Sequence, residues 1–562
     1  MRTSERRGRR LGLAAAAIAT SSALALSGAT TSASAADGAD LGDVPAVERG
    51  ASSAGSVLGT YASGFFDAGV AEIVAHAPRL QRVFTVNSGA GTLDVLDVAD
   101  PTAPTKVGEI ATPGANSVAV RRNLLVVAQQ AKTKTDRGTL AFFNARTLKP
   151  LARVRAGALP DMVTFSADGR YVIAANEGEP EGYCAGQVDP VGSVTIVRLP
   201  AQRKKLRVTQ VGFGQFNGVA GALERAGVRL FGPGASVAQD LEPEYITTTG
   251  GFAFVTLQEN NAIAVVDLKR GRVVTLVPLG TENHAVPGHG IDASDRDDAI
   301  DIATRPVKGL RLPDAIAAFR AAGQSYLITA NEGDAREYAC LLDDSGEEQA
   351  EDARIGDLTL APTVFPTAAD LQNDENLGRL GVSLLTSPSY TDAEGGTVYT
   401  GLESLGTRSA TIFSVAGEKV WDSGDLFEQV TAAATPGIFN ADNAEQDSFD
   451  GRSDNKGPEP EGVVTGVVGD RTYAFVGLER HSGIVVLDVS DPREPAYVDL
   501  LVNRDLTVGD TEPGEDDPTA VGDLGPEGLA FVAAGDSPTG QPLLIVGNEV
   551  SGTTTIWGLD LG

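Results

Sequence analysis

A unit of two short apolar strands closed by an acidic tip recurs along this chain. It limits the possible folds more than any other feature. It is clearest in Leu159–Pro180, LPDMVTFSADGRYVIAANEGEP. Pro160-Asp161 leads into a first strand. Asp168-Gly169 reads as a two-residue type I′ turn, whose central positions need positive φ. Tyr171–Ala175 is the second strand, and Asn176-Glu177-Gly178 is the tip. The pattern returns in Glu244–Asn260, Asp314–Gly333, Glu461–Glu479 and Glu527–Glu549, each opening on Asp or Glu and reaching Glu after an apolar run. A third strand follows the tip at Val194–Leu199, Ala262–Leu268, Ile484–Val489 and Thr554–Leu559. Short antiparallel strands repeating every ~40–70 residues predict a β-propeller, in which each unit is one four-stranded blade.

The fold class is therefore all-β, a single propeller over residues 56–562. Repeats add blades instead of separate cores, so 562 residues need not mean several domains. Strands leading to tips end near Asn87, Gln129, Glu177, Glu259, Glu332, Glu403, Glu479 and Glu549, which gives eight blades. The fifth unit lacks a clear third strand and the sixth lacks a clear first. If they are one distorted blade, the count is seven. Acidic inserts at 284–305, 343–376 and 505–523 interrupt the repeats. Such loops in a compact body are functional lids or excursions.

Residues 1–35 read as a secretory signal: Arg6, Arg7, Arg9 and Arg10, then an apolar Leu11–Leu26, then Ala33-Ser34-Ala35 before a cut at Ala36. The apolar run contains Thr20, Ser21 and Ser22 and is short for a membrane span. A general secretory signal fits better than a twin-arginine one, because Leu11-Gly12-Leu13 follows Arg9-Arg10. Residues 36–55 read as a flexible leader. Residues 1–35 carry five Arg and one Glu, so removal of the signal takes the net charge from −30 to −34. That charge disfavours nucleic acid and anionic membrane and favours cations. The last strand ends three residues before Gly562, with no hydrophobic tail, so a released, extracellular monomer without a membrane span is expected.

The first strand of each blade lines a propeller's channel. Glu72, Asp161, Glu244, Asp314, Glu461 and Glu527 would form one ring of carboxylates, and the tip residues Glu177, Glu259, Glu332, Glu403, Glu479 and Glu549 another. Crowded like charges take up protons unless cations neutralise them. Many hard oxygens with no fixed geometry suit Ca²⁺. The expected calcium ligands are Glu459, Glu461, Glu332, Glu177, Asp314 and Asp161, with Asp292 and Asp295 of the acidic run GIDASDRDDAIDI as a loop site. That run lacks the glycine and terminal glutamate of a helix-loop-helix calcium site, so a solvated turn is its alternative. In the structural alternative for the ring, the carboxylates accept backbone N–H groups or pair with Arg336, Arg408 or Arg480. Those arginines and Lys456 are equally the candidates for holding a small anionic ligand.

A metal beside such a clamp is what phosphoester hydrolysis requires. Nothing marks a nucleophile, however: Ser453 and Ser482 lack a G-x-S-x-G turn, and His284 and His289 are not a helical H-E-x-x-H pair. Two Met and four His argue against haem or copper. Cys184 and Cys340, the only cysteines, follow two N-E-G tips by eight and nine residues. In an oxidising compartment they form a disulfide or stand as two loop thiols.

TLDVLDVADP (92–101) and GIVVLDVSDP (483–492) resemble the LVIVD-type propeller repeat. YLITANEGDAREY (326–338), GIDASDRDDAIDI (290–302), ESLGTRSATIF (403–413) and FDGRSDNKGPEPEGV (449–463) resemble the choice-of-anchor I family, which includes an animal mesenchyme-specific cell-surface glycoprotein. The resemblance covers most of the chain after about residue 57. It implies a secreted or surface propeller, an alternative C-terminal anchor that this sequence lacks, and an association with calcium mineral and matrix. Bacterial members carry phosphatase-like or phytase-like labels, but no catalytic residues transfer. The expected function is a calcium-associated surface or matrix binding protein without catalysis. A metal-dependent phosphoesterase of alkaline phosphatase or phytase type, acting at the acidic mouth, is the alternative.

Overall fold

The computed structural model describes residues 47–200, 205–444, 448–507 and 520–562. The signal, most of the leader and the acidic centre of the 505–523 loop lie outside the described residues. Six sheets are antiparallel meanders of four strands. In chain order they begin with Val70–Ala77, Ala115–Arg121, Pro160–Phe165, Pro243–Thr249, Ile316–Ala321 and Pro460–Val468. The seventh is built from Pro526–Val532, Leu543–Asn548 and Thr553–Leu559, with Gly55–Ala62 from the start of the chain pairing alongside as its fourth strand. Ala51–Ser52 adds a short fifth. The expected third strands all occur, within a residue or so of their predicted bounds.

Each first strand packs beside the first strand of the next sheet, and the last packs beside the first. An apolar cluster fills every interface. Between the first two sheets it holds Phe84, Leu93, Leu125 and Phe143. Between the seventh and the first it holds Ile545, Ile556, Val83 and Leu96. Middle strands are sandwiched on both faces, so they read as continuous apolar runs such as LLVVA at 124–128, where strands facing water on one side would alternate.

Among the described residues this repeating set holds seven sheets, the alternative count that the sequence left open. The expected fifth and sixth units are one: Ile316–Ala321 and Gln324–Asn331 supply its inner half, Ser409–Ser414 and Lys419–Asp422 its outer half. Residues 332–408 interrupt this sheet between its second and third strands. There Glu403–Leu405 runs parallel to Lys308–Leu310 in a separate five-stranded sheet, with its own core of Phe365, Leu377, Leu380 and Val382. Glu403 is thus no blade tip. The turn at Asp168-Gly169 also differs from expectation. Phe165 pairs with Val172 and Ser166 N–H donates to Tyr171 O, so the loop is longer and only Gly169 takes positive φ, at 68°.

Candidate functional site

The inner strands all begin in one way. In six of the seven sheets the first residue pairs in register and the ladder then slips before resuming. The slips fall between Val70 and Val74, Ala115 and Ser117, Pro160 and Val163, Pro243 and Ile246, Pro460 and Val463, and Pro526 and Leu529. Such a bulge re-aims the unpaired residue. The residue it holds is Glu72, Asn116, Asp161, Glu244, Glu461 or Glu527, and Asp314 stands at the same point of the fifth sheet. Proline precedes the acid in five of the seven. It costs no ladder bond there, since an inner strand is an edge strand. The ring expected from the sequence is therefore present, and Asn116 is its seventh member.

Burial is the largest influence on these carboxyls, and it disfavours their charge. Burial, then Glu549 and Asp161, push Glu72 up to about 7 against a hydrogen bond from Ser88. Asp161 also stands at about 7. Glu244, Asp314, Glu461 and Glu527 are held well above the ordinary carboxylate range, by burial and then by one another and by Glu259, Glu332, Glu479 and Glu549. Glu177 is raised by burial and by Asp161. One oxygen each of Glu244, Glu461 and Glu527 is buried and accepts no hydrogen bond among the described residues. Tyr245, which the sequence did not single out, lies against this ring: burial, then Asp314, Glu527, Asp161 and Glu461, raise its phenol. Beyond it the channel continues as a cavity of about 330 Å³ lined by Ile73, Ser117, Met162 and Phe531.

The tip residues behave differently, because the protein's own cations reach them. Lys456 Nζ donates to Glu332 Oε1 at 2.6 Å and lies 3.6 Å from Glu459. Glu459 also accepts from Arg452 and, at 3.0 Å, from Arg480 Nε. Burial opposes its charge, but Lys456, Arg452 and Arg480 together hold its carboxyl at about 2. Glu332, Glu459 and Glu479 do converge closely enough to hold an ion. An ion on Glu459 would have to displace three cations. Glu459 and Glu461, expected to act together, are thus separated: Glu459 anchors ion pairs, while Glu461 faces the ring.

Two of the four expected anion clamps are committed to the framework. Arg336 is wholly buried, donates to Asp240 Oδ1 at 2.9 Å, lies 3.0 Å from Glu242 and sits over the ring of Phe231. Arg408 donates to Glu428 at 2.6 Å and to the carbonyls of Ser453 and Asn455 at 2.7 Å each. Lys456 and Arg480 stay at the mouth, each paired with carboxylates. Asp295 forms a bidentate pair with Arg379, at 2.7 and 2.8 Å. Asp292 accepts the Asp301 N–H at 2.7 Å. His481 is buried and its Nε2 hydrogen-bonds Thr435 Oγ1 at 2.7 Å; burial and Arg504 lower it to about 3, so it stays neutral.

Cys184 and Cys340 are bridged, with Cα atoms 5.0 Å apart. The bridge joins the loop after Glu177 to the loop after Glu332. Beside it Tyr183 N–H donates to Ala339 O at 2.9 Å, and Tyr338 OH donates to Glu179 at 2.7 Å. Among the described residues no helix is long and apolar enough to cross a membrane.

The model of the choice-of-anchor I domain matches residues 72–492. Gigasin-3a of Magallana gigas is 30% identical over 198 residues, 34% of this chain and 68% of that protein. The mesenchyme-specific cell surface glycoprotein of Strongylocentrotus purpuratus is 31% identical over 331 residues, which cover 52% of this chain but only 42% of the glycoprotein. Similar solved structures include the hydrazine synthase of Kuenenia stuttgartiensis, with TM-score 0.43, 11% identity, and 89% and 100% of the two chains covered. The Saccharomyces cerevisiae protein Sqt1 gives TM-score 0.41, 9% identity, and 90% and 98% covered. With the family model spanning most of its length, including the first strands of six sheets, the chain belongs to the choice-of-anchor I family.

Proposed function

We propose that this protein is a secreted or surface β-propeller that binds a hard divalent cation, calcium, in the carboxylate ring at its channel mouth. Its role is binding, not catalysis, toward a component of the cell surface or matrix. The observation that carries this reading is the set of buried carboxylate oxygens on Glu244, Glu461 and Glu527 that accept no hydrogen bond among the described residues. A buried charge without a partner is costly, and a cation with six to eight oxygen ligands relieves several at once. Lys456 and Arg480 lie at the tips, paired with Glu332 and Glu459, and among the described residues no Lys or Arg forms an ion pair with a ring acid. An oxidised cysteine pair and a cell-surface relative support an extracellular location.

No observation favours the phosphoesterase alternative. The arginines that would clamp a phosphate are paired with carboxylates, and Ser453 is buried with its hydroxyl donating to Asp450 at 2.5 Å.

The test is thermal unfolding of the purified chain with and without calcium. A ligand that binds only the folded state stabilises it by about 2.7 kcal/mol at 100 times Kd, which amounts to a rise of several degrees. The double variant Glu461→Gln, Glu527→Gln is expected to stay folded and lose most of that rise. An unchanged rise in the variant, or none in wild type, overturns the ring as the site. Phosphoester turnover abolished by a chelator would replace binding with catalysis.

A further inference from the structure

At the outer edge of the fifth sheet, Glu282, His289 and Asp422 bring one ligand atom each to within 4.8 Å of one another. Three elements supply them. Glu282 lies on the short strand Thr281–Asn283, His289 in the loop that follows it, and Asp422 at the end of Lys419–Asp422, the outer strand of that sheet. His289 Nδ1 stands 3.4 Å from Glu282 Oε1, yet it is buried without a hydrogen-bond partner among the described residues. A ring nitrogen so placed is a lone pair facing two carboxylates with nothing to hold. Among the described residues every hydrogen bond to Glu282 falls on Oε2, from Arg311 at 2.5 Å and from Lys419 at 2.7 Å. Oε1 is left toward His289, although the side chain is only 9% exposed.

Asp422 is held from two sides. Its Oδ1 accepts the Gly424 N–H at 3.0 Å, and its Oδ2 accepts from Thr411 at 2.7 Å and from Arg311 at 3.3 Å. Gly424 takes φ 56°, and a Cβ there would crowd Gly288 O and stand 3.1 Å from His289 Nδ1. Glycine at this point thus leaves the nitrogen open beside Asp422. The loop is anchored on both flanks of His289: Asp425 N–H donates to Gly288 O at 3.0 Å, and Gly290 N–H donates to Asp425 Oδ2 at 3.2 Å. The imidazole is therefore presented by fixed backbone, and its side chain is 26% exposed, which gives an ion a way in. Arg311 and Lys419 balance the charge of Glu282 and Asp422, so charge alone does not call for an ion here. The unpartnered nitrogen does.

We propose that Glu282 Oε1, His289 Nδ1 and Asp422 hold a zinc ion, with water completing its shell. Zinc takes imidazole and carboxylate ligands at about 2.0–2.2 Å, and three protein ligands with an open fourth position are one of its usual arrangements. Tetrahedral bonds of that length set ligand atoms about 3.3 Å apart, close to the 3.4 Å between Nδ1 and Oε1. From a spread of 4.8 Å, the third ligand has to close by at most about 1.5 Å, which side-chain rotation supplies. Calcium and magnesium take oxygen ligands, so the nitrogen sets this site apart in kind from the carboxylate ring. An ion here would clasp the strand Thr281–Asn283 to the outer strand of the fifth sheet. The sequence does not announce the site, because Asp422 lies far along the chain from His289.

Equilibrium dialysis of the full chain against zinc, with calcium in excess, counts the ions bound per molecule. His289→Ala, on a partly exposed loop, is expected to fold and to bind one zinc fewer than wild type. In wild type, zinc should also shield His289 from diethyl pyrocarbonate, read by mass spectrometry of the modified peptide. His76, which is partly buried and outside the cluster, should react alike with and without zinc. A zinc count equal in wild type and folded variant, or His289 modified equally with and without zinc, overturns the proposal and leaves His289 as a neighbour of Glu282 only. If His289→Ala does not fold, the protection experiment on wild type decides alone. Neither readout depends on calcium in the ring, so the two sites stand or fall separately.

Discussion

Glu459 and Glu461 are two residues apart and have opposite electrostatics. Glu459 is fully buried and faces Arg452, Arg480 and Lys456. Removing its charge leaves three cations short of a partner, and breaking a buried ion pair typically costs about 3–5 kcal/mol. Glu459→Gln should therefore lower stability markedly whether or not calcium is present, as urea unfolding would register. Glu461 instead repels Glu479 and Glu527. Glu461→Gln removes that repulsion, so without metal the protein should be as stable as wild type or slightly more so. Equal losses from the two substitutions would mean that Glu461 has a cationic partner. Sequence reasoning found both residues but grouped them. What separates them is contact with Arg452 and Arg480 in the folded chain, and no spacing rule encodes that.

At the scale of elements, local signals read well and long-range pairing did not. Short apolar runs located the inner, second and third strands of most sheets, because they are written in adjacent residues, whereas outer strands such as Arg207–Gly212, mostly exposed, carried no such run. The sequence left the count open between eight and seven where Asn331 pairs with Ser409 across an insertion, since nothing near either strand announces a partner so far away. The same holds for Lys456 with Glu332, and for Arg336 with Asp240 and Glu242. The cysteines were an intermediate case. Matching positions behind two tips suggested the bridge, yet only the fold brings 184 beside 340. That bridge closes a long loop, with a sequence separation of 156, and removing such a link typically costs about 2–5 kcal/mol. The Cys184→Ser, Cys340→Ser variant should unfold at lower temperature. Proteolysis should then cut near Ala339 or Gln187, because the two loops keep only contacts such as Tyr183 N–H to Ala339 O. A variant as stable and as resistant as wild type would show that those contacts suffice.

For the whole molecule, the carboxylates set the dependence of stability on pH, and the sign follows from the direction of each shift. Glu72 and Asp161 stand at about 7 in the folded state, against an ordinary value near 4. Between those values the folded chain binds more protons than the unfolded one, so stability falls as pH rises. Glu177, Glu244, Asp314, Glu461, Glu479 and Glu527 act in the same direction and extend the loss further up the scale. Glu459, held at about 2, acts oppositely: its contribution is intact above its unfolded value and is lost as pH falls toward 2. His481, lowered to about 3, also favours higher pH, with the gain complete near 6.5, but the raised carboxyls outnumber it. Without divalent cations, stability should therefore peak near pH 4–5 and decline through pH 8. Calcium in the ring must displace protons to bind, so it should stabilise little at pH 5 and strongly at pH 8, moving the optimum upward. Melting temperatures measured from pH 4 to 8, in chelator and in saturating calcium, check both statements. Parallel curves with a constant offset would mean that calcium binds outside the ring, where no carboxyl gives up a proton.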